Sequence, residues 1–212
     1  MTRRAVALPM FVAVAVLSAC GAASTAEDGS SAPASSASAL VVDEATAADL
    51  VFLREEEKMA RDVYVTLGQR WNLAIFANIQ VSEQRHMDAV LQLLEGAGIA
   101  DPAAGNPVGV FTSVEIGDLH AQLVEQGLAG EVEALVVGAT IEDYDLADLA
   151  ECALVATDPT VLKVYASLAK GSRNHLRAFV SQLVAAGVTY TPQFIDPGTF
   201  EAIVTSPTEK GN

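Results

Sequence analysis

Glu83 and His86 stand three residues apart in the stretch SEQRHMDAVLQLL, on the same helical stripe as Val90 and Leu94. A carboxylate and an imidazole on a core-facing stripe are costly unless something pairs with them. The anomaly recurs elsewhere in the chain. Glu57 falls between Leu53 and Ala60, Glu142 and Asp145 repeat the i, i+3 spacing, and His175 follows Ser172 by the same step. Carboxylates brought to one level would repel one another, and a divalent or trivalent cation removes both the repulsion and the desolvation cost. Carboxylate oxygen combined with imidazole nitrogen suits iron, manganese or zinc. The candidate ligands are therefore Glu57, Glu83, His86, Glu142, Asp145 and His175. Glu56 is the alternative to Glu57, but register with Leu53 and Tyr64 favours Glu57. The competing account has no metal and pairs the inward acids with Arg61, Arg85 or Arg177.

Those residues need helices to carry them. Of the 212 residues, 51% are hydrophobic and only 6% aromatic, a composition suited to one domain of close-packed helices. Leu50, Leu53, Glu57, Ala60, Tyr64 and Leu67 share one face of a helix over residues 43–69. A second helix over 73–95 aligns Phe76, Ile79, Glu83, His86, Val90 and Leu94, and GAGIADPAAGNPVG stops it. A short helix is expected over 113–125, a third long one over 130–155, and a fourth from Pro159 to about residue 186. The pattern predicts an all-α fold, a four-helix bundle with an extra short helix in the connection between the second and third long helices. Trp71 is expected to pack the bundle end and His120 to lie at the surface. Residues 40–205 make the domain and 206–212 a disordered tail.

The chain opens with Arg3 and Arg4, an apolar run over 5–17, and Leu17-Ser18-Ala19-Cys20. This reads as a secretory leader over 1–19, too short to span a bilayer. A cysteine after Leu-Ser-Ala resembles the bacterial lipobox, so Cys20 is the expected lipidation site and the protein is expected outside the cytoplasm, anchored to the cell membrane. An ordinary secretory leader with a coincidental cysteine is the alternative. Residues 20–39, rich in Ala and Ser, make a flexible tether. Cys152 is left as a small buried side chain, with no disulfide framework. A formal net charge of −15 repels phosphate backbones and excludes nucleic acid as a partner.

Glu57, then Glu83-x-x-His86, then Glu142, then His175 resembles the carboxylate-bridged di-iron pattern of ferritin-like proteins. The stretches LREEEKMARDVY, SEQRHMDAV, VGATIEDYDLADL and GSRNHLRAF resemble more specifically the bacterial ferritin-like family called domain of unknown function 2202, over residues 49–203. The resemblance implies a ferritin-like bundle that binds one or two ions, iron foremost. It further implies an oxidase of Fe(II) or of a small reductant, using O2 or peroxide. A metal-binding or structural module without turnover is the alternative. Tyr64, Tyr165 and Ser172 would stand just behind the ligands. One position departs from the pattern: Ser172 stands where a bridging Glu is expected, and Asp145 is the candidate replacement.

Overall fold

The computed structural model describes residues 40–210, so Cys20, the leader and the tether expected of residues 1–39 lie outside the described residues. Short polar side chains set where the helices begin. Asp43 accepts from Thr46 N, Ser113 from Ile116 N, Asp158 from Thr160 N and Asp196 from Thr199 N, each satisfying an amide the helix leaves unpaired. Pro159 and Pro197 occupy first-turn positions, where a missing N–H costs nothing. Six helices result among the described residues: α1 Glu44–Trp71, α2 Ala74–Gly96, α3 Val114–Gly127, α4 Glu131–Val155, α5 Pro159–Ala185 and α6 Pro197–Thr205. No strand occurs among the described residues, and no helix there is long and apolar enough to cross a membrane.

The long helices α1, α2, α4 and α5 lie against one another: α1 on α2, α4 on α5, α1 on α4 and α2 on α5. Asn72, left-handed at φ 53°, turns α1 into α2 across a two-residue link. Two apolar cores form. One gathers Tyr64, Phe76 and Phe179, whose ring centroids lie 5.4 to 5.9 Å apart; the other gathers Leu50, Leu94, Leu149, Tyr165 and Leu168. A polar layer separates them, falling between Leu53 and Met59 on α1, between Ile79 and Val90 on α2, and between Leu168 and Leu176 on α5. The candidate ligands sit in this layer.

The outer face of α1 is unexpectedly polar and buried. Arg54 makes a two-bond contact with Asp101, Glu55 accepts from Ser113 N at 2.8 Å, and Lys58 donates to the Pro107 carbonyl at 2.8 Å. Asp62 takes Lys58, Arg61 and the Gly109 amide. Together they strap the α2–α3 connection to α1. Asp143 does the same for the segment before α6, accepting from Tyr190 Oη, Phe194 N and Ile195 N.

Three expectations change here. Residues 206–210 are not a loose tail: Glu209 pairs with Arg173 at 2.6 Å and its amide reaches Asn174. A folded anchor was present on α5 that no local pattern announces. α6 adds a nine-residue helix beyond the four long helices and one short helix that were expected. His120 is half-buried against Phe111 rather than exposed, because the strapped connection covers it. Trp71 behaves as expected, its Nε1 donating to the Gly127 carbonyl at 2.9 Å.

Candidate metal centre

Five of the six expected ligands converge. Glu57 comes from α1, Glu83 and His86 from α2, Glu142 from α4 and His175 from α5, all buried. Their atoms form two groups, Glu57–Glu83–His86 and Glu83–Glu142–His175, in each of which the potential ligand atoms lie within 4.8 Å of one another. Glu83 belongs to both. The Nδ1 atom of His86 lies 2.9 Å from Glu83 and 3.2 Å from Glu57, and Nδ1 of His175 lies 2.8 Å from Glu83 and 3.4 Å from Glu142. The two imidazoles stack, with centroids 5.6 Å apart.

Close contact here is not full hydrogen bonding. Glu83 Oε1 and His175 Nδ1 are 2.8 Å apart yet out of hydrogen-bond alignment, and Glu57 Oε1 is also buried without a hydrogen-bond partner. Buried polar atoms are nearly always satisfied, so orphans gathered at one point need a cause. The ion pairs of Arg54, Lys58, Arg61, Arg173 and Arg177 go to other acids. Arg85 is exposed. The salt-bridge alternative through Arg61, Arg85 or Arg177 therefore finds no support, and the donor set of carboxylate oxygens and imidazole nitrogens fits a first-row transition metal.

The carboxylates and imidazoles also shift one another. Burial would push both imidazoles down, but the surrounding carboxylates outweigh it: Glu57 and Glu83 hold His86 well above its ordinary value, and Glu142 and Glu83 raise His175 to about 10. Burial would raise Glu83, but the two histidines outweigh it and hold it low. Burial lifts Glu57 and Glu142 above the usual carboxylate range. Protons on the imidazoles thus neutralise part of the charge that an ion would otherwise balance.

Asp145 stands beside these groups, not within either. One of its oxygens is held by the Ser172 hydroxyl, which also lies 3.1 Å from the Leu168 carbonyl. Burial, with Glu142 nearby, lifts the Asp145 carboxyl to about 7. Tyr64 does stand behind a ligand, donating to Glu142 Oε1 at 2.6 Å. Tyr165 packs in the core with Leu149 and Cys152. One feature was not singled out from the sequence. Gly171 lies mid-helix, where a Cβ would sit 2.4 Å from His86 Nε2, so only glycine leaves room for that ring. A glycine inside the α5 pattern was the available signal. Glu56 is also buried, facing α4 rather than solvent.

Fold and site together define an all-helical protein with a buried carboxylate–histidine cluster capable of holding metal ions. The chain belongs to the family described as "Uncharacterized protein domain (DUF2202)", which it matches over residues 46–207. It is similar to "Uncharacterized protein MJ0754" of Methanocaldococcus jannaschii, 51% identical over 162 residues, covering 76% of this chain and 88% of that protein. The fold is likewise similar to the crystal structure titled as hypothetical protein MJ0754 from Methanococcus jannaschii, with a TM-score of 0.79 and 47% identity. That match covers 85% of this chain and all of the solved one. An archaeal relative this similar shows that the family is not confined to bacteria, which corrects the expectation from sequence.

Proposed function

We propose that this protein is a ferritin-like four-helix bundle that holds iron at two adjoining positions sharing Glu83, and that it oxidises Fe(II) or a small reductant with O2 or peroxide. The observation that carries this reading is the pair of ligand groups meeting at Glu83, with orphaned oxygens and an orphaned imidazole nitrogen turned inward. Iron held there would supply one-electron redox chemistry toward oxygen or peroxide. Glu57 and His86 would hold one ion, Glu142 and His175 the other, and Glu83 would touch both. Tyr64 fixes the orientation of Glu142 through its hydroxyl. Ser172 is too short to join two ions, and Asp145 brings a carboxylate to that side through the serine hydroxyl. Manganese or zinc suits the same donors. In this reading Cys20 anchors the protein to the outer face of the cell membrane, and metal ions are its partners.

Elemental analysis of protein purified without added metal, followed by O2 uptake with Fe(II), tests the reading. Iron content with Fe(II)-dependent O2 uptake, both lost in Glu83→Gln, is expected. Metal retained without O2 uptake would leave a binding module. Membrane fractionation of Cys20→Ala tests the anchor; wild-type protein found wholly free of membranes would refute it.

A further inference from the structure

The 97–113 segment crosses the outer face of α1 and also covers His120 of α3. Gly109, at φ 77°, passes so close that a Cβ there would stand 3.3 Å from His120 Cε1. The Phe111 ring lies against the imidazole with centroids 5.2 Å apart, and the Lys58 ammonium lies 4.4 Å from the centroid of that same ring. His120 Nε2 is buried there without a hydrogen-bond partner. Such a nitrogen tolerates the neutral ring far better than the charged one, because a buried cationic N–H with no acceptor costs more than an orphaned neutral atom.

The surrounding charges keep that preference. Lys58 disfavours a second cation, and Asp62 favours one. Both Asp62 oxygens are already engaged, however, by Lys58, Arg61 and the Gly109 amide. The covering segment brings no titratable side chain after Asp101, which Arg54 holds, and Glu115 and Asp118 of α3 itself are exposed. Burial, aided by Lys58, therefore holds the imidazole below its ordinary value.

We propose that His120 is an acid-operated latch: while its ring is neutral the 97–113 segment stays strapped to α1, and a proton on the ring releases that segment with the long helices still folded. Release gives Nε2 its missing partner, water, and uncovers Lys58 and Asp62. The latch stands apart from the Glu83 centre and needs neither metal nor turnover.

Amide hydrogen exchange on the full chain, followed by mass spectrometry and corrected for the intrinsic pH dependence of exchange, tests the latch. An ordinary histidine takes up its proton between about pH 7.5 and about pH 5. Over that range wild-type protection of 97–113 is expected to fall by roughly threefold or more, while protection of α4 and α5 does not fall with it. His120→Phe keeps a ring of similar bulk and cannot take the proton, so its strap protection should be the same at both pH values. His120→Asn gives the same reading without the ring, and it decides the matter if His120→Phe does not fold. Wild-type strap protection that does not change with pH would overturn the proposal. An equal fall in either folded variant would also overturn it, by assigning the opening to strap carboxylates such as Glu55 or Asp62. So would a fall shared equally by α4 and α5, which is unfolding of the whole domain.

Discussion

α1 buries charge on two sides, and the two sides are built differently. On the outer side Arg54, Glu55, Lys58 and Asp62 each meet a partner of opposite charge or a backbone group, and the result is a strap over the α2–α3 connection. On the inner side Glu56 and Glu57 face other acids and a histidine, and oxygens there are left without partners. The sequence offers the same kind of residue to both sides. What separates a structural acid from a candidate ligand is whether its oxygens are satisfied by the protein itself.

The largest effect should come from the inner side. Glu83→Gln removes the carboxylate common to both groups, and Zn(II) or Mn(II) affinity should fall by ~100-fold or more, measured by competition with a chromophoric chelator. Retained affinity would mean that the two groups are not ligands. On the outer side Asp62→Asn should leave Lys58 buried without its counter-charge. That should cost about 3–5 kcal/mol of stability in denaturant unfolding, while metal bound per folded chain stays as in wild type. If the two substitutions trade effects, the division of α1 into two kinds of face fails.

A pH series sharpens the inner side alone. An ion must displace the proton on His175, which in the ion-free protein is held to about 10 by Glu142 and Glu83 against burial. Affinity should therefore keep rising with pH from the ordinary imidazole value of 6.5 up to about 10. The ion-free fold should lose stability over the same window, because its histidine binds a proton more tightly than the unfolded chain does. Affinity that is flat above about pH 7.5, where an unperturbed histidine is already neutral, would contradict this. The smallest effect is expected at Gly171. Gly171→Ala gains up to about 1 kcal/mol of helix propensity but drives a methyl into His86. Metal affinity should drop by about tenfold, with little change in melting temperature, whereas His120→Ala should leave affinity alone.

Helix extents and the inward histidines were legible because period 3.6 fixes a helix face locally. Glu57, Glu83, His86, Glu142 and His175 interrupt apolar stripes, and the fold brings those stripes together. The burial of Lys58 and Asp62 was not legible, because it depends on a connection some fifty residues downstream folding back onto α1. The same holds for Glu209 on Arg173, and for Glu56, whose facing acid is on α4. Asp145 shows the limit from the other direction. Its spacing from Glu142 places it on the correct face, but the serine hydroxyl claims one of its oxygens.

The sharing of Glu83 also gives the two ligand groups different mechanical roles. Glu57, Glu83 and His86 all belong to the hairpin of α1 and α2, so an ion bound by them tightens one hairpin without tying it to anything else. Glu142 and His175 belong to α4 and α5, so an ion shared with Glu83 acts as a rivet through the seam between the two hairpins. Resistance to pulling the hairpins apart therefore depends on which group is filled, not simply on how much metal is bound.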